Sequence, residues 1–494
     1  MANPSLQIGD SNWAIKEDNL LGYSKAGTRF VPQPITMTRA SAGTRVNPEG
    51  LVETVELLGS ELVTNGDFAT DSDWSVGSGG VITNGELVFA SQNTSGTFQT
   101  ISHQVGKTYK VSVEIKSVSN GSVRLDLAGG GATTQDFDTV GVHTGYVTPI
   151  QGGSFFIKTT AFQGSIDNIS VKESTKNNLA RVDYTDGTSS LLAEPQRTNL
   201  VTYSIPDNTN WSKGSNTTIT ENFSTSPDGT QNASRLVMPT GSETYAYYQF
   251  TATSTANHTF SFYAKNNGGD ADVNMKFFIA SQQQSITLTN EWKRFEFTTS
   301  ITSGNAVAVG VDNLTSIDML IWGCQCEESY ATSYIPTSGS TVTRNQETYT
   351  KTGISDLINS EEGVLFLEAS TFENGADCRI TLSDGTITNR VSIEWDILAN
   401  TIKGFVGSNG NLVSPATYNQ TNSNKIAIKY KENDCALWIN GTEVDTDSTV
   451  SALSGTNQLE FSNYNALLPF EGKVKQLQIF KTALTDSELA ALTT

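Results

Sequence analysis

The chain has 494 residues, 36% of them hydrophobic and only 17% charged, with 42 glycines and a formal charge of −20. Such a length excludes a single hydrophobic core and predicts about three or four domains. A net anion without Lys/Arg clusters excludes general binding to nucleic acid or to anionic membranes, and no apolar run nears the ~20 residues of a membrane span.

The balance of residues disfavours helix. Gly, Ser, Thr and Asn are abundant and long Leu/Ala/Glu/Lys runs are nearly absent, which favours short strands joined by many turns. The N-terminus, MANPSLQIGDSNWAIKED, lacks the basic start and apolar core of a signal peptide. The cysteines are Cys324, Cys326, Cys378 and Cys435, with no CxxC pair and no Cys/His cluster. Buried thiols in a protein made in a reducing compartment are expected, rather than a zinc site or a disulfide framework.

In chain order, residues 1–56 hold scattered apolar side chains and a turn signal at Asn47-Pro48-Glu49-Gly50. Such a segment is ordered best by another chain or another domain, and it is expected to be an assembly arm. Residues 57–174 form the first domain. Tyr109, Val111, Val113 and Ile115 alternate with Lys110, Ser112, Glu114 and Lys116, a strand with one wet face. A turn at Ser119-Asn120-Gly121 and a second alternating run through Val123, Leu125 and Leu127 follow. Strands of this kind without helices read as a β-sandwich.

After a connector over 175–198, centred on the stiff Glu194-Pro195-Gln196-Arg197, residues 199–338 repeat the plan. ELVTNGDF leading to Trp74 matches NLVTYS leading to Trp211, TYKVSVEIK matches HTFSFYAK, and SIDNISV matches SIDMLIW. Agreement at the start, middle and end of two segments marks a duplication. Trp74 and Trp211 are then shared core residues. The last domain spans 339–494. It has half-buried strands around Ile426-Ala427-Ile428 and Ala436-Leu437-Trp438-Ile439, and a hairpin turn at Asn440-Gly441. Thr485 to Glu488 is a capping box that opens a short helix.

The first copy, with NGDF, Trp74 and SIDNISVKE, resembles a carbohydrate-binding jelly roll of the family 4/9 type, and the second copy is similar. The end of the chain, ALWINGTEV followed by FEGKVKQLQIFKTALTDSELAAL, resembles a concanavalin A-like or laminin G-like sandwich. TRASAGTRVNPEGLVETV, LLAEPQRTNLVTYS and CQCEESYATSYIPTSGSTVTRN are similar to phrases of bacteriophage head and tail fibres. In that family the first phrase usually runs almost directly into the second, so the first jelly roll looks inserted. The jelly-roll resemblance implies a structural Ca²⁺ near the first and last strands, where Asp67 and Asp167 match and Asp318 occupies the last-strand place of the second copy. The second copy has no acid matching Asp67.

Catalysis has little support in the residues. Glu394 and Asp396 share one face of a strand, but the third acid expected of a concanavalin A-like hydrolase is absent, and two suitably separated carboxyl groups are needed. His103, His143 and His258 form no triad spacing. Sugar binding needs an exposed aromatic platform beside polar groups, and Trp395, Tyr464 and Tyr245 are the candidates. Tyr247 and Tyr248 are adjacent on a strand, so they face opposite sides. The expected fold is all-β: tandem jelly-roll sandwiches with an extended N-terminal arm and a short C-terminal helix. The expected role is a non-enzymatic phage appendage subunit, assembled without a signal peptide into the virion. Its expected partners are copies of itself (a trimer first, a dimer second), capsid, tail or fibre proteins through residues 1–56, and host-surface glycans. A ligand-free decoration and a depolymerase are the rival readings.

Overall fold

The structure, a computed structural model, describes residues 3–10, 13–16, 19–26, 29–128, 133–269 and 272–494. The chain divides into two units: residues 56–176, and residues 1–55 together with 177–494. The chain leaves and re-enters the larger unit at one place. The Asn178 amide donates to the Arg39 carbonyl at 2.9 Å, the Val55 amide to the Gly43 carbonyl at 3.0 Å, and the Val46 amide to the Asp183 carboxylate at 2.9 Å. Both ends of the excursion are therefore tied to the stretch 39–46.

The inserted unit is an antiparallel sandwich whose two longest strands serve both sheets. The alternation from Tyr109 produces a strand that buries Val111, Val113 and Ile115. The turn expected at 119–121 does not form. The strand continues as Tyr109–Leu127 and absorbs the change of direction in register shifts against Phe155–Thr175. Gly121 sits at φ +72°, and a Cβ there would lie 2.2 Å from the Thr160 carbonyl oxygen, so glycine is what lets the paired strands bend together.

In the second sandwich the same path is cut into shorter strands. One sheet runs Ser212–Lys213, Tyr245–Thr251, Ala306–Asn313, Val273–Ile279 and Gln282–Leu288. The other runs Thr218–Thr225, Gln231–Met238, Ile317–Glu328, Ala256–Asn266 and Lys293–Ile301. Landmarks recur between the two sandwiches. Trp74 donates its indole N–H to the Asn65 carbonyl, and Trp211 to the Tyr203 carbonyl, each at 2.9 Å. Ser75 bridges Phe98 as Ser212 pairs with Tyr247. Both tryptophans pack against their own cores.

The last sandwich is completed by residues from the start of the chain. Leu6–Gly9 pairs with Gly472–Phe480, Asn19–Ala26 pairs with Arg29–Thr38, and the end of that strand pairs with Thr348–Thr352. Leu6, Ile8, Leu20, Ile35 and Met37 enter the core. The segment is extended, but it is ordered by another domain and is not a free arm. It stays in place because its apolar side chains fill the open edge between two sheets. The connector is also built in, with Ser190–Ala193 paired to Gly472–Phe480. Asn440 and Gly441 turn at φ +49° and +82°, as a tight hairpin requires. Thr485 and Glu488 form the capping box of helix Asp486–Thr493, which buries Leu489.

Where these segments meet lies a buried knot of charge. Arg39, Arg181 and Arg344 are inaccessible to solvent, as are Glu194 and Glu347. Arg181 donates to Glu347 at 2.8 and 2.5 Å and to Glu194 at 2.6 Å. Arg39 reaches Glu347 at 2.5 Å, and Arg344 lies 3.0 Å from Glu194. Glu327 stands beside them and accepts from the Thr332 amide and hydroxyl, each at 2.6 Å. Three guanidinium groups thus face three carboxyl groups. Burial alone would raise the Glu194 carboxyl, but Arg344, Arg181 and the Ser333 hydrogen bonds outweigh it and hold that group well below the ordinary carboxylate range.

Candidate functional site

The second sandwich carries an open sheet face with aromatic side chains and polar neighbours. Ala246, Tyr248 and Phe250 turn towards the core, so Tyr245, Tyr247 and Gln249 turn outward by the period-two rule. Tyr248 is fixed inside by its hydroxyl contact to Thr202 at 2.6 Å. Across the sheet, one row reads Ser212, Tyr247, Gly310, Phe278 and Gln283. The next row reads Tyr245, Asp312, Lys276 and Ser285.

Gly310 makes the centre of this face. A Cβ there would lie 2.2 Å from the Ala246 carbonyl oxygen and 2.7 Å from the Tyr247 Cβ, so only glycine permits the close approach. No side chain stands between Tyr247 and Phe278. Tyr245 and Tyr247 have ring centroids 5.8 Å apart, and Tyr245 is anchored by a 3.0 Å hydrogen bond to Glu243. Three half-exposed rings therefore stand around the buried Gly310, with Asp312, Lys276, Gln249, Gln283 and Ser285 beside them. Rings supply flat apolar contact, and amide, hydroxyl and charged groups supply directional hydrogen bonds. That combination suits a ligand with apolar faces and polar edges.

The residues singled out from the sequence divide. Tyr245 lies on this face. Trp395 does not form a platform: it is 0% exposed, packed with ring centroids 4.8 Å from Phe470. The reason is alternation, since Val391, Ile393 and Trp395 form the inward row of Arg390–Trp395. Tyr464 is half-buried, and the Arg390 guanidinium lies 5.5 Å from its ring centre, which occupies one face. The face also includes Phe278, which the sequence reading passed over. Its signal is the adjacent pair Phe277-Phe278: neighbours on a strand point opposite ways, so one of them is outside.

The three aspartates of the expected calcium sites lie in different surroundings. Asp318 is held by Arg235 through contacts of 2.8 and 2.6 Å and accepts from Asn267 at 3.0 Å. Its carboxyl is lowered chiefly by the Arg235 hydrogen bond, an environment that satisfies its charge without metal. Asp67 is exposed, and Asp167 accepts from its neighbour Asn168 at 2.6 Å. Among the described residues no group of three or more His, Cys, Asp or Glu side chains is placed to hold a metal ion. Glu394 is ion-paired with Arg379 and Asp396 with Lys403.

No protein-family model matches the chain, and no curated protein sequence matches it. Among solved structures, it is similar to the CBM40 module of the Ruminococcus gnavus IT-sialidase bound to α2,6-sialyllactose, at 17% identity and TM-score 0.25 over 29% of this chain and 98% of that one. It is similar to the CBM22-1 xylan-binding domain of Paenibacillus barcinonensis Xyn10C, at 12% identity and TM-score 0.22 over 27% and 94%. It is also similar to domains LG4-5 of the mouse laminin α1 chain, at 11% identity and TM-score 0.20 over 56% and 92%. In kind, these neighbours are carbohydrate-binding modules and laminin G domains.

Proposed function

We propose that this chain is a non-catalytic subunit of a bacteriophage head or tail fibre, and that it binds host-surface glycans through the outer sheet face of its second sandwich. The observation that carries the binding reading is the half-exposed aromatic cluster of Tyr245, Tyr247 and Phe278 around Gly310 on one sheet face. Stacking of sugar rings on such side chains gives weak, sequence-tolerant adhesion. Repetition in a homo-oligomer, a trimer first and a dimer second, makes weak sites effective by avidity.

The fibre setting draws support from how its phrases assemble. Arg39 from the TRAS phrase, Glu194 from LLAEPQRTNL, and Arg344 just before Glu347 all enter one buried ion network. Docking to the particle through residues 1–56 uses a folded surface in this reading. A groove of about 620 Å3 opens there between Trp13, Tyr23 and the exposed Phe30. The non-catalytic reading is supported by Glu394 and Asp396, each neutralised by its own cation.

A glycan array probed with the full-length chain and with Tyr247→Ala tests the binding reading. Binding by the wild type that falls about fivefold or more in the variant is expected, because an aromatic stacking contact contributes on the order of 1 kcal/mol. A wild-type chain that binds no glycan would favour a ligand-free decoration. Reducing-end release from a host polysaccharide would instead make the chain a depolymerase.

A further inference from the structure

The inserted sandwich presents the same face with different chemistry. Its outer rows read Ser75, Phe98, Phe156 and Asp126, then Gly96, Lys158 and Arg124. Position by position, Phe98 stands where the second sandwich has Tyr247, Phe156 where it has Gly310, Lys158 where it has Asp312, and Arg124 where it has Lys276. The second sandwich sets one cation, Lys276, against one anion, Asp312. The inserted sandwich sets Arg124 and Lys158 against Asp126, with Asp136 on the adjoining edge segment.

Asp126 is committed. It is almost fully buried and is ion-paired with Lys158. Among the described residues Arg124 has neither an ion pair nor a hydrogen bond, and its Nε is buried without an acceptor. Asp136, on the adjoining edge segment, is exposed and makes no ion pair with it. Beside this guanidinium, Phe98 and Phe156 form a half-exposed aromatic pair with ring centroids 5.3 Å apart; the Lys158 ammonium lies 5.5 Å from the Phe156 ring centre and occupies one of its faces, so Phe98 offers the freer ring. Gly96 leaves the flank of Phe156 open, since a Cβ there would only touch its ring edge at 3.6 Å.

We infer that this face is a binding site for carboxylated sugars, such as uronic or sialic acid residues. The sugar ring packs on Phe98 and Phe156 while its carboxylate takes the planar fork of Arg124, the geometry in which a guanidinium exceeds an ammonium group. The inference goes beyond the reading of the second sandwich and does not depend on it.

The test is an array of uronate- and sialate-containing glycans, each beside its carboxyl-reduced counterpart and a sulfated analogue, probed with the full chain. The chain should prefer carboxylated members by roughly tenfold or more, the scale of one charge-assisted contact. Arg124→Gln should erase the preference and Phe98→Ala should weaken all binding at this face. Tyr247→Ala should leave the preference intact, which separates this site from the one in the second sandwich. Among the described residues Arg124 makes no ion pair, so the Gln variant should melt as the wild type does. Equal binding of acidic and reduced members, a stronger response to sulfate than to carboxylate, or a preference that survives Arg124→Gln would each overturn the assignment.

Discussion

Replacing Glu194 by Gln keeps the side chain's shape and removes one charge from the buried knot. The carboxylate accepts from Arg181 at 2.6 Å, from the Ser333 amide at 2.8 Å and from the Ser333 hydroxyl at 2.7 Å, with Arg344 at 3.0 Å. In the variant one oxygen becomes an NH2 group that faces guanidinium donors, and three buried cations face two carboxyl groups. Breaking a buried pair from one side costs about 3–5 kcal/mol, because the remaining charge has no route to water. For a unit of this size, residues 1–55 with 177–494, that corresponds to a fall of about 4–6 °C in melting midpoint. Calorimetry at neutral pH reads it directly. Acid supplies the second readout. The folded carboxyl lies below its unfolded value of about 4.3, so its stabilisation is fully present above that pH and is lost as pH falls through the acid range. The wild-type midpoint should therefore drop more steeply with acid than that of the variant. A Gln variant that melts within about 1 °C of the wild type, with a parallel acid limb, would refute the claim that a buried charge balance holds these segments together.

Removing residues 1–38 should leave an aggregating or unfolded last domain. Five core side chains at about 1.5–3 kcal/mol each rival a domain's whole stability, and a soluble variant with the wild-type midpoint would contradict the edge-filling role. Gly310→Val should cost more than about 1 kcal/mol by urea denaturation and abolish glycan binding, since the new side chain meets backbone at 2.2 Å. A thermal scan with a chelator should superimpose on one with added Ca²⁺, while a midpoint that rises with Ca²⁺ would restore a cation site near Asp67. Cys324, Cys326, Cys378 and Cys435 are free and buried. A thiol reagent should find none of them in the native chain and four after denaturation.

What could be read from the sequence was what short range determines. The alternation at 109–116, the Asn440-Gly441 turn and the Thr485 capping box each depend on residues a few positions apart, and each formed. The strand through 119–121 was misjudged because a bulge and a turn use the same residues, and only pairing with Phe155–Thr175 decides between them. The N-terminal strands escaped notice for a related reason. Leu6 and Ile479 are paired across almost the whole chain, and no local pattern announces such a partner. The charged knot was also invisible. Glu194 reads as a polar connector residue, and its burial depends on Arg181 and on Arg344 from a distant segment. Trp395, by contrast, could have been placed correctly. Its row with Val391 and Ile393 was already apolar, and that rule identifies Phe278 and Phe156 as outward members of their aromatic pairs.

The point at which residues 56–176 leave the larger unit has a consequence for how such a chain diversifies. Arg39 and Gly43, which tether the two ends of the excursion, are four residues apart. The junction therefore spans at most about 14 Å of extended chain. Closing so short a gap costs the larger unit little conformational entropy, whatever length of folded chain fills it. The junction is a socket: one folded insert can be exchanged for another, or omitted, without rebuilding the body that holds it. Grafting an unrelated sandwich between Val55 and Asn177 should leave the fold of the larger unit untouched.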